Sequence, residues 1–211
     1  MAANDAAITG WEGEAMLKKK VPVAAAYRLL TPGWVVLVAS EKEGRYNVMT
    51  ASWQMPVSIN PPLVAVAVVK KHLTAEYILA GKSFTLNVPG RELLPKVHYC
   101  GSVSGRGVDK FATAGLTPVQ GDQVAAPLVA ECLAGVECRL WKVYDGGDHY
   151  LFVGEIVAAV AATDYFENHW LLGGDELNRP VNHLGGPLYA VPSKVLRVTR
   201  EDSGFTVAEE T

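Results

Sequence analysis

Small hydroxyl side chains crowd the segment Arg45–Trp53, which has the pattern of a strand that runs into a loop. Strand residues two apart point to the same face, so the hydroxyls of Thr50 and Ser52, with neighbouring amides, could meet one polar ligand. An edge strand whose threonine and serine face water would show the same pattern. These residues alone therefore leave both interpretations open.

A second polar cluster, Lys70–Thr74, directly follows an apolar strand and opens a short helix. The first turn of a helix presents free N–H groups and the positive end of the helix dipole, and adjacent lysines strengthen that field. A phosphate monoester suits such a position. An ordinary capped helix with surface lysines explains the same residues.

The glycine-rich stretch Cys100–Phe111 supplies a third set of polar groups. Glycines let backbone N–H groups approach a flat ligand closely, while Ser102, Ser104 and Lys110 add donors for anionic or carbonyl oxygens. The stretch is therefore suited to hold a flat, anionic ligand. A flexible connection between helices, with Lys110 in solvent, is the alternative.

Several common sites are excluded by their spacing. The run Gly101–Gly105 resembles the GxSxG turn of serine hydrolases, but its central residue is Val103 instead of serine. Neither GxGxxG nor GxxxxGK[ST] occurs in the sequence. His72 with Glu76, and the acidic and histidine residues of 164–169, do not supply a complete shell of ligands, so we predict no metal site.

The elements that must position these groups are mainly strands. Runs rich in β-branched residues alternate with turn sequences, and long helices do not alternate with strands as in parallel βαβ folds. We therefore predict a mainly β, closed antiparallel barrel, because closure removes exposed strand edges. The predicted strands are Val35–Ala39, Leu63–Val69, Ser83–Val88, Ala134–Val143, Tyr150–Val160 and Lys194–Thr199.

Helices are few and short, and they are expected to decorate the barrel. The candidates are Thr74–Ala80, Arg91–Tyr99 and Val108–Ala114. Residues 161–192 read as an irregular excursion that covers a site or a partner subunit. We expect one domain over residues 21–200, an extension over residues 1–20, and a flexible, acidic tail over residues 201–211.

Composition restricts the partners of this 211-residue chain. Its net charge of -3 and pI near 6.0 give no positive field for nucleic acid. Three cysteines without a CxxC pair rule out a complete disulfide framework and favour a cytoplasmic protein. No signal peptide opens the sequence, and no apolar run approaches the roughly 20 residues that span a bilayer, so no membrane association is expected.

Taken in order, the motifs resemble the flavin reductase-like family, which includes the flavoredoxins, over residues 20–200. The matching segments are NxMTASW at 47–53, a Pro-Pro strand at 61–64, Thr74, FTLNVP at 84–89, SGRGVDKF at 104–111, LTP at 116–118 and FVGE at 152–155. The resemblance implies a split β-barrel that binds flavin mononucleotide (FMN). It also implies a homodimer whose flavin sites lie near the subunit interface.

Carried over by position, the resemblance assigns the isoalloxazine contacts to the first motif, the phosphate side to the second cluster, and further flavin contacts to the glycine-rich stretch. The residues concerned are Asn47, Met49, Thr50, Ala51, Ser52 and Trp53, then Lys71, His72 and Thr74, then Ser102, Ser104, Gly105 and Lys110. It also points to His149 as a catalytic residue near the nicotinamide or flavin edge, and to His183 and Tyr189 as cofactor contacts.

The function implied by the resemblance is a flavoprotein oxidoreductase, in which NADH or NADPH gives hydride to the flavin and electrons pass to an acceptor. Two alternatives stay open at the level of sequence. One is a flavoredoxin-type electron carrier that a redox protein reduces. The other is a barrel that binds FMN or haem without catalysis.

Overall fold

A seven-stranded antiparallel sheet organises the chain. We describe it from a computed structural model, which covers residues 21–30, 33–172, 175–201 and 204–210. Its strands are β2 (Val36–Lys42), β3 (Arg45–Ala51), β4 (Gln54–Ser58), β5 (Leu63–Val69), β6 (Ser83–Val88), β9 (Ala134–Gly146) and β10 (His149–Ala161). The strands outside this sheet are β1 (Gly33–Trp34), β7 (Pro118–Val119), β8 (Leu128–Val129), β11 (Asn182–Gly185), β12 (Leu188–Ala190), β13 (Val195–Glu201) and β14 (Gly204–Glu210).

The order of strands across the main sheet is β3-β2-β6-β9-β10-β5-β4. Its two outermost strands, β3 and β4, are consecutive along the chain, and only Ser52 and Trp53 join them. The Trp53 carbonyl accepts a hydrogen bond from the Ala67 amide of β5 at 2.9 Å. The chain thus passes from one edge of the sheet directly to the other, which requires the sheet to curl into a barrel.

Side chains alternate between two apolar clusters on the two faces of the sheet, as the period of two requires. On β2, Val36 and Val38 point to a cluster with Phe84 and Phe152. Residues between them point to the other face, where the second cluster joins the sheet to the helices. Its members include Leu37, Ala39, Leu93, Val97 and Phe111.

Three short α-helices lie outside the strands: α1 (Leu73–Gly81), α2 (Leu94–Ser102) and α3 (Lys110–Ala114). Short 3-10 turns cover Val23–Leu29, Arg91–Leu93 and Glu176–Asn178. Helix α3 starts later than predicted because the Asp109 side chain accepts a hydrogen bond from the Ala112 amide at 3.1 Å and caps it there. Pro95 occupies the first turn of α2, where a missing N–H costs nothing.

The mainly β prediction is confirmed, and β5 and β6 have the predicted bounds. Strand β4 was missed because Pro56 lies inside it, yet an edge strand tolerates proline. Strand β10 begins one residue earlier than predicted, so His149 is its first residue rather than the residue before it.

The C-terminal part differs from the expectations. Within the excursion 161–192, β11 and β12 form a small sheet with β1. Strand β14 pairs antiparallel with β13 along its whole length, so residues 204–210 form a strand where a flexible tail was predicted. The predicted extension, residues 1–20, lies outside the described residues. No helix of the described chain is long and apolar enough to cross a membrane.

Candidate functional site

The three polar segments of the sequence meet around one cavity of about 270 Å3, which we call the inner cavity. Strand β3 forms one side, the start of α1 a second, and the loop between α2 and α3 a third. Predicted site residues that line it are Asn47, Met49, Thr50, Lys71, His72, Thr74, Ser102, Ser104, Gly105 and Lys110.

A buried hydrogen bond joins β3 to the start of α1. Asn47 donates through Nδ2 to Thr74 Oγ1 at 2.7 Å, and both side chains are less than 5% exposed (4% and 2%). His72 precedes the helix and makes no side-chain cap there. The Ala75 amide already donates to the His72 carbonyl at 3.1 Å, so the amides at the start of α1 that remain for an anion in the cavity are those of Leu73 and Thr74.

Lys110 brings a buried ammonium group to the cavity wall. Its side chain is 6% exposed, and Nζ donates to the Cys100 carbonyl oxygen at 2.7 Å. Burial lowers the pKa of Lys110, because the charged form is poorly solvated there. Within the described residues no carboxylate forms an ion pair with Lys110, so an anionic ligand would compensate its charge.

At Gly105 the wall of the inner cavity consists of backbone atoms only, and these pack directly on Asn47. A Cβ atom built on Gly105 would overlap the Asn47 Oδ1 atom, so the loop can approach β3 this closely only with glycine. The next residue but one, Gly107, has no atom within 4 Å of such a Cβ. Ser104 helps to shape this loop, since its Oγ accepts a hydrogen bond from the Arg106 amide at 3.3 Å.

A second space of about 260 Å3, which we call the outer cavity, adjoins the first. Thr50, Gly101 and Ser102 line both spaces. The predicted residues that line the outer cavity besides these are Ala51, Ser52, His183 and Tyr189. The two spaces therefore form one elongated site over the end of β3.

The hydroxyl groups shared by the two cavities already donate within the protein. Thr50 donates to the Val97 carbonyl, and Ser102 donates to the His98 carbonyl at 2.8 Å. Their oxygen lone pairs remain able to accept a hydrogen bond from a ligand. Ser102 makes a bond four residues back along α2, which is common for serine in a helix.

Histidine and tyrosine side chains close the far side of the outer cavity. The Tyr189 hydroxyl lies 3.0 Å from His98 Nδ1, and the two rings pack edge to face. His183 Nε2 lies 2.9 Å from the Gly186 carbonyl and holds the β11–β12 turn. Sequence reasoning missed His98, whose only signal was its place four residues before Ser102 on one face of α2.

Trp53 and His149 line neither cavity. Their rings stack at a centroid distance of 5.1 Å with 28° between the planes, and His149 Nδ1 lies 2.6 Å from Asp148 Oδ1. Trp53 is 41% exposed. We call Trp53 and His149 the rim. The rim acts on His72 through its charge. Burial is the largest cause that lowers the pKa of His72, and the charges of Lys110, His149 and Lys71 lower it further.

No metal centre is evident in the described residues, where no group of three or more potential ligand side chains gathers.

A family model described as the flavin reductase like domain matches residues 27–180. The chain belongs to the flavin reductase-like family. The resemblance inferred from the motifs is thereby confirmed.

Two proteins are reported as relatives of this chain by sequence similarity. The uncharacterized protein YddH of Escherichia coli is 40% identical over 179 residues, which is 82% of this chain and 93% of that protein. The NADH-dependent FAD reductase of Streptomyces globisporus is 32% identical over 144 residues, which is 67% of this chain and 76% of that protein.

Solved structures show the same fold. The flavoredoxin of Desulfovibrio vulgaris (Miyazaki F) matches with a TM-score of 0.70 and 30% identity, covering 79% of this chain and 90% of that one. An FMN-binding domain of a flavin reductases-like enzyme from Shewanella baltica matches with a TM-score of 0.72 and 28% identity, covering 84% and 95%. The flavin reductase-like barrel predicted from the sequence is thus confirmed.

Proposed function

We propose that this flavin reductase-like protein binds FMN across the inner and outer cavities, takes hydride from NADH or NADPH, and passes electrons to an acceptor. One observation carries the proposal. The buried ammonium of Lys110 and the uncapped start of α1 face the same cavity. Both favour an anionic group there.

The residues present fit FMN in size and in chemistry. Cavities of about 270 and 260 Å3 that share a wall fall, taken together, within the usual range of small-molecule sites, roughly 300–1,000 Å3. Phosphate oxygens suit the inner cavity, where the α1 amides, Lys71 and Ser104 lie. Apolar walls for a ring system come from Met49 and Val35.

Bound FMN would supply the two-electron chemistry that joins a nicotinamide donor to a later acceptor. The protein itself would position the flavin and exclude water from it. The Asn47–Thr74 bond holds α1 against β3, so the anion-binding amides keep a fixed place beside the cavity. At the rim, the Asp148 carboxylate lies 2.6 Å from His149 Nδ1, so it favours a proton on that nitrogen and orients the ring.

Relatives support the redox part of the proposal. The Streptomyces globisporus protein is named for NADH-dependent reduction of FAD, and the Shewanella baltica domain for binding FMN. We carry these properties to this chain as a proposal. The resemblance to the Desulfovibrio vulgaris flavoredoxin supports a second candidate, an electron carrier that a redox protein reduces.

We also propose that two copies associate through the face that carries β4. Its side chains Met55, Val57 and Ile59 are exposed by 55%, 48% and 95%, next to exposed Trp53. Neighbouring apolar side chains on a sheet edge favour burial against a partner. We also propose a cytoplasmic location, because the three cysteines of the described chain are free thiols.

The experiment is an anaerobic titration of the FMN-loaded protein with NADH and, separately, NADPH, followed by visible absorbance. Bleaching of the flavin band by either nucleotide supports the reductase. Bleaching only by dithionite or a reduced ferredoxin supports the carrier. A purified protein that releases no flavin on heating and binds no added FMN overturns both.

A further inference from the structure

A histidine and a tyrosine join two walls of the outer cavity. His98 belongs to α2 and Tyr189 to β12, and the Tyr189 hydroxyl lies 3.0 Å from His98 Nδ1. Both residues line the cavity. The Tyr189 side chain is half-buried, whereas His98 is exposed and can exchange protons with water. The pair therefore connects the outer cavity with solvent.

The outer cavity has no fixed charge of its own. Among the described residues that line it there is no lysine, arginine, aspartate or glutamate, and the titratable side chains are those of His98, His183 and Tyr189. Two lysines near α2 face elsewhere. Lys96 donates to the Gly115 carbonyl at 2.5 Å, and Lys110 lines the inner cavity.

Reduction of a bound flavin would bring negative charge into this uncharged space. The phosphate suits the inner cavity, where Lys71 and Lys110 lie, so the ring system extends past Thr50 into the outer cavity. A hydride carries two electrons but only one proton, so one negative charge stays on the ring. A charge in a partly buried site is costly unless an opposite charge forms beside it. Histidine is the side chain of this lining that can become positive near neutral pH.

The hydrogen bond between His98 and Tyr189 links such a proton to the ligand. A neutral imidazole with its proton on Nε2 accepts at Nδ1, so the Tyr189 hydroxyl hydrogen points to His98. When His98 Nδ1 also carries a proton, it donates to the Tyr189 oxygen, and the hydroxyl hydrogen is free to turn toward the cavity. Burial raises the pKa of Tyr189, so the phenol keeps its own proton throughout.

His183 is less suited to this role, although its ring packs on Tyr189 at a centroid distance of 5.2 Å. Its Nε2 lies 2.9 Å from the Gly186 carbonyl, which accepts a hydrogen bond and so favours a proton on that nitrogen. In the described part of the chain, the Tyr189 hydroxyl bonds to His98 and not to His183. A proton gained by His183 would therefore leave the direction of the Tyr189 hydroxyl unchanged.

We propose that the His98–Tyr189 pair takes up one proton from solvent when the flavin is reduced, and that Tyr189 then donates a hydrogen bond to the reduced ring. The proposal rests on the function proposed above and deepens it. Two electrons and one proton arrive on the flavin as hydride, and one further proton arrives on His98 Nδ1. The positive imidazolium then balances the negative ring. Tyr189 contacts the flavin, and His98 is a positioning residue that acts through Tyr189.

The test is the midpoint potential of FMN bound to the protein, measured by anaerobic spectroelectrochemistry at several pH values around neutrality. One additional proton per two electrons changes the reduction equilibrium tenfold per pH unit, which is about 30 mV per unit. The potential of the parent should therefore fall more steeply with pH, by this amount, than that of His98→Gln or Tyr189→Phe. His169→Gln, at an exposed histidine outside both cavities, is the matched control and should keep the slope of the parent.

A second readout follows the histidine directly. Nitrogen NMR of His98 in the FMN-loaded protein should show a larger protonated fraction after reduction than before it, at the same pH. Tyr189→Phe removes a single oxygen atom, so it carries the test of the potential if His98→Gln does not fold or does not bind FMN.

Three results overturn the proposal. The first is an equal slope in the parent and in His98→Gln. The second is a slope that is lost only in His183→Gln, which would place the proton on His183. The third is a slope that is lost in His98→Gln but kept in Tyr189→Phe, because His98 would then act by its charge alone and not through the hydroxyl.

The two proposals fail in distinguishable ways. A protein that binds FMN with the same slope in every variant removes the role of the His98–Tyr189 pair and leaves the flavin site intact. A protein that binds no FMN removes the flavin function and the role of the pair together.

Discussion

The wall of the inner cavity and the rim differ in how their polar groups are held. On the wall, Asn47, Thr74 and Lys110 are buried. Asn47 and Thr74 bond each other across 27 residues of sequence, and Lys110 donates to the Cys100 carbonyl, 10 residues away. On the rim, Trp53 is 41% exposed, and the partner of His149 is its own neighbour in sequence, Asp148. Both regions were assigned to one site from the sequence.

This contrast indicates which part of the site already has a fixed geometry before a ligand binds. A buried polar group that loses its partner costs about 1–3 kcal/mol, so the wall keeps a single arrangement. An exposed pair can exchange its partner for water at little cost. We therefore expect changes in the wall to act on flavin affinity, and changes at the rim to act on the encounter with the electron donor.

The largest effect is expected from Gly105→Ala. Its new Cβ would overlap Asn47 Oδ1, and Asn47 cannot move freely because it is bound to Thr74. Overpacking of this kind costs about 2 kcal/mol, so FMN binding should weaken about 30-fold in a fluorescence-quenching titration. The matched control is Gly107→Ala, where no atom lies within 4 Å of the new Cβ. Equal affinities for the two variants would show that the wall is not closely packed.

A smaller effect is expected from Lys110→Met. Loss of a hydrogen bond to a charged group should weaken FMN binding by about 1.5 kcal/mol, which is roughly 12-fold. Lys142→Met, at an exposed lysine of β9, is the control. A Lys110→Met protein that binds FMN as tightly as the parent would place the phosphate elsewhere.

The pH dependence of the stability of Lys110→Met, compared with that of the parent, tests whether the ammonium group of Lys110 is buried. Burial holds the pKa of Lys110 in the folded protein below the usual 10.5, so the unfolded chain binds more protons between the two values. The stability contributed at this position is therefore lowest below the folded pKa and rises with pH up to 10.5. Urea unfolding of the apoprotein should show the parent gaining stability relative to Lys110→Met as the pH rises toward 10.5. A constant difference would contradict a buried, charged lysine.

The smallest effect is expected at the rim, from Asp148→Asn. It removes the carboxylate that orients His149 but leaves the stack on Trp53. Since exposed pairs contribute little, the KM for NADH or NADPH should rise about threefold with an altered pH profile and no change in FMN affinity. Asp164→Asn is the control. A loss of FMN affinity in Asp148→Asn would mean that rim and wall act as one unit.

Local patterns were enough to find the three polar segments and every strand of the main sheet except β4. Runs of β-branched residues placed β5 and β6 at their observed bounds, and the NxMTASW and SGRGVDKF motifs pointed to the correct family. They could not show β4, because Pro56 interrupts the pattern of that strand. They also gave no sign that residues 204–210 pair with β13.

Residue patterns alone establish the mainly β class, the family, and the residue types able to hold an anionic, flat ligand. Which of these residues meet depends on the tertiary structure. Thr74 contacts Asn47, 27 residues away, and Thr50 contacts Val97, 47 residues away. The tertiary structure also separated Trp53 and His149 from the two cavities. The reason is physical: such contacts depend on the order of strands and on helix packing against the sheet, and neither is encoded in the spacing of neighbouring residues.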